Sequence, residues 1–274
     1  HLDGLTQLGI MVEAEGNYVF KRDTLKASDI LLDEASVTGT ENILMAAVLA
    51  PGRTTIYNAA CEPHVQDLCH MLCKMGAVIG GIGTNYLTIE GVERLEGVRH
   101  RVAPDYVEAA SFVAAAALTG GDLQVDGIVP ADFAIIGKHF GRLGITWELG
   151  EKTLRIPRGQ QLAIQDDFGA AITKLEDGTW PNFPSDLMSV SIVLATQATG
   201  TMLFFEKLFE SRMYFVDRLI EMGARIVQCD PHRAVVTGPT TLHGTQLSSP
   251  DNRAGMWLLL AALCAKGESI IGNA

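Results

Sequence analysis

The sequence predicts an α/β fold assembled from a repeated unit, and three observations predict it. Short segments rich in β-branched or aromatic residues alternate regularly with helical ones. One phrase recurs: a polar or acidic turn opens a small-residue apolar helix, a Gly turn and a strand follow, and a second helix closes on a Leu-Gly or Met-Gly turn before another strand. The opening helices are apolar nearly all round, so they must be buried on every side, whereas the closing helices keep charge on an outer face. Units of this kind pack their opening helices together and leave sheets outside.

The openings are Ala35 and Ser36, Pro104 and Asp105, Ser185 and Asp186, and Pro250 and Asp251; counted from Ser36 they lie 69, 81 and 65 residues apart. That period exceeds the roughly 20–50 residues of solenoid and propeller repeats, so each unit is a small layer in itself. Taken in order, residues 1–8 read as a closing helix ended at Leu8, Gly9 and Ile10. An opening helix over 42–50, a strand over 54–58, a closing helix over 65–74 stopped at Met75, Gly76 and Ala77, and a strand over 87–89 make one full unit. After a polar extended stretch at 98–104 come a helix over 108–119, a strand over 123–125 and the turn Leu143, Gly144, Ile145. An irregular stretch at 165–184 precedes a helix over 187–198, a strand over 202–206, a helix over 214–222 closed by Met222, Gly223 and Ala224, and a strand over 234–237. A last opening helix spans 253–266.

For 274 residues two domains are the default expectation, and the boundary is placed near Ala103. Residues 1–103 then hold the end of one repeat plus one full repeat, and 104–274 hold two full repeats plus the start of a third. With no start Met and no signal peptide, the chain reads as an internal stretch of a longer protein, and its partial repeats predict poor stability alone.

At 47% hydrophobic and 19% charged residues the composition is that of a globular protein, and no apolar run is long enough for a membrane span. The net charge of −11 argues against nucleic acid as the main partner, although a few converging Arg side chains would still hold a small anion. Five Cys, at 61, 69, 73, 229 and 264, form no CxxC pair and favour a reduced, cytoplasmic protein. Cys69 and Cys73 sit one helical turn apart near His64 and His70, but no second ligand cluster accompanies them, so core packing is expected rather than a metal site.

The chemistry has an address because each buried helix begins at an equivalent place in its repeat. If the repeats surround a pseudo-symmetry axis, their positive N-terminal ends face one mouth and make an anion site. Beside those ends stand Ser36, Thr38, Asp105, Asp186 and Asp251, with Arg253 following Asp251 and Arg212 following a strand. Each of Ser, Thr and Asp is equally a preferred N-cap, contributing about 1 kcal/mol without any function.

The residues Ser36 to Asn42, Asn58 to Pro63, Thr88 to Leu95, Phe183 to Asp186, Phe209 to Arg212 and Asp251 to Gly255 together resemble the UDP-N-acetylglucosamine 1-carboxyvinyltransferases, enolpyruvyl transferases of peptidoglycan synthesis. The resemblance covers essentially the whole chain. It implies two similar domains of repeated βαβαββ units with buried helices and outer sheets, and an active site in a cleft that closes around substrate and excludes water. The implied reaction joins the 3′-hydroxyl of UDP-N-acetylglucosamine to C2 of phosphoenolpyruvate and expels phosphate, with no metal or organic cofactor.

By the same resemblance Asp186 matches the Asp that binds the sugar hydroxyl and is the candidate general base. Glu34, Ala35, Ser36 and Val37 match the loop that contacts the UDP moiety, and Leu208 a backbone contact to the acetamido sugar. Arg212 looks like the Arg that grips phosphoenolpyruvate, and Asp251, with Arg253 beside it, matches an Asp near the reacting carbon. Asp105 and Glu62 match family positions read as structural. The chain departs from the family pattern at Glu34, where some members carry Lys, and at Cys61, His64 and Asn252. The family's loop with its Cys or Asp proton donor would precede His1, and none of the five Cys here matches it. Two other readings stand beside this one: the sister enzyme that uses shikimate 3-phosphate as acceptor, and a non-catalytic chain that only binds nucleotide sugar.

Overall fold

The computed structural model describes residues 1–22, 24–210, 212–248 and 254–273. The chain forms two compact units, His1–Ala103 and Pro104–Ala274.

In the first unit, α1 (Leu2–Gln7) leads into an antiparallel pair, β1 (Ile10–Glu15) and β2 (Asn17–Arg22). A complete βαβαββ repeat follows: β3 (Asp29–Leu31), α2 (Val37–Ala47), β4 (Arg53–Tyr57), α3 (Pro63–Lys74), β5 (Val78–Gly80) and β6 (Tyr86–Glu90). Its sheet runs in the order β3-β4-β6-β5; β3 is parallel to β4 and the other pairs are antiparallel. The buried face of the sheet and the two helices meet at Ile30, Ile43, Leu44, Ile56, Leu72 and Ile89. Cys69 lies in that core, where burial, with Cys73 adding, pushes its thiol up to about 12.

Helix α2 starts at Val37, earlier than the expected 42, because Ser36 caps it: the Ser36 hydroxyl accepts from the Gly39 N–H at 3.1 Å. Small residues that read as a turn in the sequence form the first helical turn, with Gly39 and Thr40 buried. Thr40 then ties the helix to the next strand's exit, donating to the Ser36 carbonyl at 2.7 Å and accepting from the Ala60 N–H at 2.9 Å.

The second unit opens with α4 (Tyr106–Thr119), β7 (Leu123–Asp126), α5 (Ala134–Arg142), β8 (Glu148–Leu149) and β9 (Thr153–Ile156). Its antiparallel sheet, in the order β7-β9-β8, has no leading parallel strand among the described residues. Ahead of α4 the Ala103 N–H donates to the Asp67 carboxylate at 3.1 Å, and Pro104 has no N–H to give. The next repeat is complete: β10 (Thr173–Glu176), α6 (Met188–Gln197), β11 (Gly200–Phe205), α7 (Val216–Glu221), β12 (Arg225–Asp230) and β13 (Arg233–Gly238). Its order β10-β11-β13-β12, one parallel pair and then two antiparallel ones, repeats the pattern of the first unit's sheet. A further start follows, β14 (Gln246–Ser248), α8 (Ala254–Cys264) and β15 (Ile270–Gly272), with β14 parallel to β15.

The apolar opening helices α4, α6 and α8 pack on one another inside this unit, but only α6 is enclosed on every side as expected; Phe112 of α4 and Leu259 and Leu263 of α8 are exposed. Val113 and Ala114, Ile192 and Val193, and Trp257 and Leu258 are all buried there. Two hydroxyls inside α6 are satisfied within the helix, Ser191 donating to the Leu187 carbonyl at 2.8 Å and Thr196 to that of Val193 at 2.7 Å. Among the described residues no helix is long and apolar enough to cross a membrane.

The closing turns keep their phase through the chain. Gly9, Gly76, Gly144 and Gly223 have φ of 88, 105, 84 and 105°. After three of them the next N–H reaches back to close the helix, Ala77 to Leu72 at 3.0 Å, Ile145 to Phe140 at 3.1 Å and Ala224 to Leu219 at 2.9 Å. The turns differ in their surroundings: a Cβ on Gly76 would meet nothing within 4 Å, whereas one on Gly144 would lie 2.1 Å from the Gln161 carbonyl oxygen. Gly76→Ala is therefore expected to lose only the left-handed backbone cost, about 1 kcal/mol, and Gly144→Ala about 2–3 kcal/mol. Urea midpoints of the two variants check this, and equal losses would show that the Gln161 backbone yields.

Candidate functional site

The second unit gathers several of the expected residues at the end of β11. That strand buries Met202 and Phe204, and Glu206, next in the chain, has no exposed surface. The chain approaching α6 is anchored by Phe183, which is 1% exposed and packs edge-on against His139 with ring centroids 5.0 Å apart. Burial, with Arg142 and Lys138 nearby, pulls the His139 ring down to about 4, so it packs as a neutral aromatic. Ser185 and Asp186 then fall in one turn of 3₁₀-helix, Ser185–Leu187, that runs straight into α6. Asp186 is half-buried.

Arg212 starts a second 3₁₀ turn, Arg212–Phe215, ahead of α7. Its Nη1 donates to Ser185 Oγ at 2.6 Å and to Asp186 Oδ1 at 3.1 Å, and its Cζ lies 4.0 Å from the centre of the Phe209 ring. A guanidinium held along one side by a carboxylate and a hydroxyl, and stacked on an aromatic face, is fixed in plane and in azimuth. Its five-donor fork suits a carboxylate or phosphate in two-pronged fashion.

Behind this pair lies a second layer. Ser185 Oγ donates to Glu206 Oε1 at 2.9 Å. The backbone of Glu206 is pinned on both sides by His232, its N–H donating to the His232 carbonyl at 2.8 Å and its own carbonyl 2.9 Å from His232 Nδ1. Asp177, 2% exposed, accepts the N–H groups of Lys207 and Leu208, so it sets the backbone of Leu208, whose side chain is exposed.

The structure thus brings Asp186, Arg212 and Leu208 to one patch of the second unit. Glu34, Ala35, Ser36 and Val37 lie in the first unit at the start of α2: Glu34 is exposed, the other three are half-buried, and the Ser36 N–H donates to the Glu34 carbonyl at 2.8 Å. Ser36 and Asp105 both act as caps, the latter accepting from Val107 at 2.8 Å and Glu108 at 3.1 Å. Asp186 is not a cap of this kind; it precedes α6 and pairs with Arg212. Asp251 and Arg253 lie outside the described residues. Among the described residues no group of three or more His, Cys, Asp or Glu is placed to hold a metal ion.

Sequence reasoning did not single out Ser185, Glu206 or Asp177 as members of the site. Ser185 had a signal, standing next to Asp186 at a helix opening. Glu206 had a weaker one, an acid directly after a run of apolar strand residues. Asp177 had none, being one acid in an irregular polar stretch.

Comparison with known proteins identifies the relatives of this arrangement. The family model of EPSP synthase (3-phosphoshikimate 1-carboxyvinyltransferase) matches residues 1–274. A Treponema denticola protein named UDP-N-acetylglucosamine 1-carboxyvinyltransferase is 55% identical over 273 residues, which is 100% of this chain and 64% of that protein. Proteins of the same name from Borreliella burgdorferi and Bradyrhizobium diazoefficiens are 53% and 51% identical over 274 residues, each with the same 100% and 64% coverage. The chain therefore spans 64% of the length of these relatives. Among solved structures, the enolpyruvyl transferase NikO from Streptomyces tendae superposes with a TM-score of 0.85 at 24% identity, covering 99% of this chain and 66% of NikO. EPSP synthase from Acinetobacter baumannii superposes with a TM-score of 0.69 at 19% identity, over 98% of this chain and 65% of that one. These two likenesses bear on the fold, which is the repeated βαβαββ architecture that the sequence predicts.

Proposed function

We propose, because the chain belongs to the EPSP synthase family of enolpyruvyl transferases, that it carries part of an enzyme transferring the enolpyruvyl group of phosphoenolpyruvate to the 3′-hydroxyl of UDP-N-acetylglucosamine. Phosphate is released, and the product feeds peptidoglycan synthesis. Support comes from relatives at 51–55% identity whose name describes that reaction, and the reading is carried by one observation, the Arg212–Asp186 pair at 3.1 Å.

In this reading the two side chains hold each other ready while no substrate is present. The carboxylate of phosphoenolpyruvate competes for the Arg212 fork, and Asp186, released from the guanidinium, accepts the proton of the sugar hydroxyl. The hydroxyl oxygen bonds to C2 as the π pair takes a proton at C3; loss of a C3 proton with cleavage of the C2–O bond then restores the double bond and releases phosphate, and the hydroxyl proton balances the departing phosphate. Leu208, positioned through its backbone by Asp177, contacts the acetamido sugar. Glu34, Ala35, Ser36 and Val37 contact the UDP moiety, and Asp251 and Arg253 act near the reacting carbon. No cofactor enters the scheme, and five cysteines without a disulfide accord with a cytoplasmic setting.

The test is inorganic phosphate release from phosphoenolpyruvate, measured with UDP-N-acetylglucosamine, with shikimate 3-phosphate and with neither. Release that depends on the nucleotide sugar supports the reading. Release that depends on shikimate 3-phosphate replaces it with the sister reaction, and thermal stabilisation by the nucleotide sugar without release would leave a binding chain only.

A further inference from the structure

The second unit contains two buried acids that touch neither substrate in the proposed reaction. Asp177 is 2% exposed and Glu206 is 0% exposed. Both oxygens of Asp177 face backbone donors, the N–H groups of Lys207 and Leu208, and two such donors stabilise a negative charge. Glu206 is placed differently. Its Oε1 accepts from Ser185, and its Oε2 is buried and receives no N–H or hydroxyl among the described residues. The acidic neighbour of that carboxyl is Asp177. Burial and the acidic neighbour both favour the neutral form of Glu206. Glu206 keeps its proton, and Oε2, which as an acceptor would be orphaned, becomes a donor toward Asp177.

We infer that Glu206 is a positioning residue in its neutral form: it fixes the Ser185 hydroxyl, and through it the Arg212–Asp186 pair, and its ionisation uncouples that pair. The inference rests on the proposed reaction for its functional meaning.

The groups facing Glu206 make the consequence directional. Asp177 comes from the segment after β10, Ser185 and Asp186 from the start of α6, Lys207 from the adjoining chain, Arg212 from the turn before α7, and His232 from the turn between β12 and β13. Burial, then Asp177, push the Glu206 carboxyl up to about 8, while Ser185 and Arg212 pull it down by less. Ionised Glu206 sets a second anion beside Asp177, disturbing its grip on the Lys207 and Leu208 amides. It also competes with Asp186 for the Arg212 guanidinium. Because the folded carboxyl titrates above the usual carboxylate range, its contribution to stability is complete below about pH 4.5 and is lost as pH rises through about 8.

The experiment follows the amide resonances of Lys207 and Leu208 and the Nε resonance of Arg212 by ¹⁵N NMR from neutral to alkaline pH, in the wild-type chain and in Glu206→Gln. Nucleotide-sugar-dependent phosphate release is recorded over the same range. Glu206→Gln keeps a neutral donor in the same shape and cannot ionise. The inference expects all three wild-type resonances to shift together with an inflection near pH 8, and the inflection to vanish in the variant along with the alkaline fall in turnover. In Ser185→Ala the two amides should still titrate while the Arg212 resonance no longer follows them. A wild type with no common inflection, a Glu206→Gln variant that keeps it, or an alkaline turnover limb identical in both proteins overturns the inference. Absence of phosphate release at every pH removes the proposed reaction, while the resonances still decide the protonation and the coupling.

Discussion

Asp186→Asn is expected to lower nucleotide-sugar-dependent phosphate release by about 10²–10⁴-fold, the range for loss of a positioned general base. The substitution keeps an oxygen that can accept from Arg212 Nη1, where the carboxylate now accepts at 3.1 Å, so the guanidinium is not left unpaired. The loss should therefore fall on kcat, with the KM for phosphoenolpyruvate little changed. Arg212→Lys supplies the contrast. Lysine keeps the charge but not the planar fork or the stacking over Phe209, so its effect should fall mainly on KM. Steady-state kinetics of the two variants check the assignment. A large KM effect with unchanged kcat in Asp186→Asn would mean that the carboxylate binds and does not take the proton.

Phe183→Ala is expected to destabilise the chain by about 3–5 kcal/mol, the usual loss for removing a fully buried aromatic ring. Phe183 is 1% exposed and packs edge-on against neutral His139, so the truncation leaves a void that neither backbone nor water fills well. Pro184, Ser185 and Asp186 follow directly, which makes this ring the anchor of the site as well as part of the core. Phe183→Leu, which refills most of the volume, should recover more than half of the loss in urea melts. A loss below about 1 kcal/mol for Phe183→Ala would show that the site segment is held by its polar bonds alone.

Much of the fold is legible in the sequence because it is repeated. A positive-φ glycine after a helix is weak evidence once and strong evidence when Gly9, Gly76, Gly144 and Gly223 all close helices in phase. Burial of α6 on every side follows from its having no polar face, whereas α4, read in the same way, leaves Glu108, Phe112 and Thr119 exposed along one side. The start of α2 is not legible in this way, since Val37 to Thr40 are poor helix formers; their helical state is set by the Ser36 cap and by packing of Gly39 and Thr40.

The site divides similarly. Asp186 and Arg212 are legible because a motif holds each of them. Their supports, Asp177 and Glu206, are not, because a buried acid and a solvated one look identical in sequence, and the two meet only when β10 and β11 lie side by side.

Helix α6 has a consequence for how the site is oriented. Eight of its residues, from Met188 to Thr196, are buried, leaving no polar stripe to tell one side from another. Hydrophobic burial therefore holds this helix in place along the unit but is nearly indifferent to rotation about its own axis. Rotation is fixed at the two ends, by the Ser185 bond to Glu206 before it and by Thr240, whose N–H and hydroxyl reach the Thr196 carbonyl at 2.8 and 3.1 Å, after it. The helix resembles a shaft in a greased bearing keyed only at its ends. Cutting either key would cost uniqueness before it cost stability: a compact chain of full helical content, with Asp186 aimed in several directions.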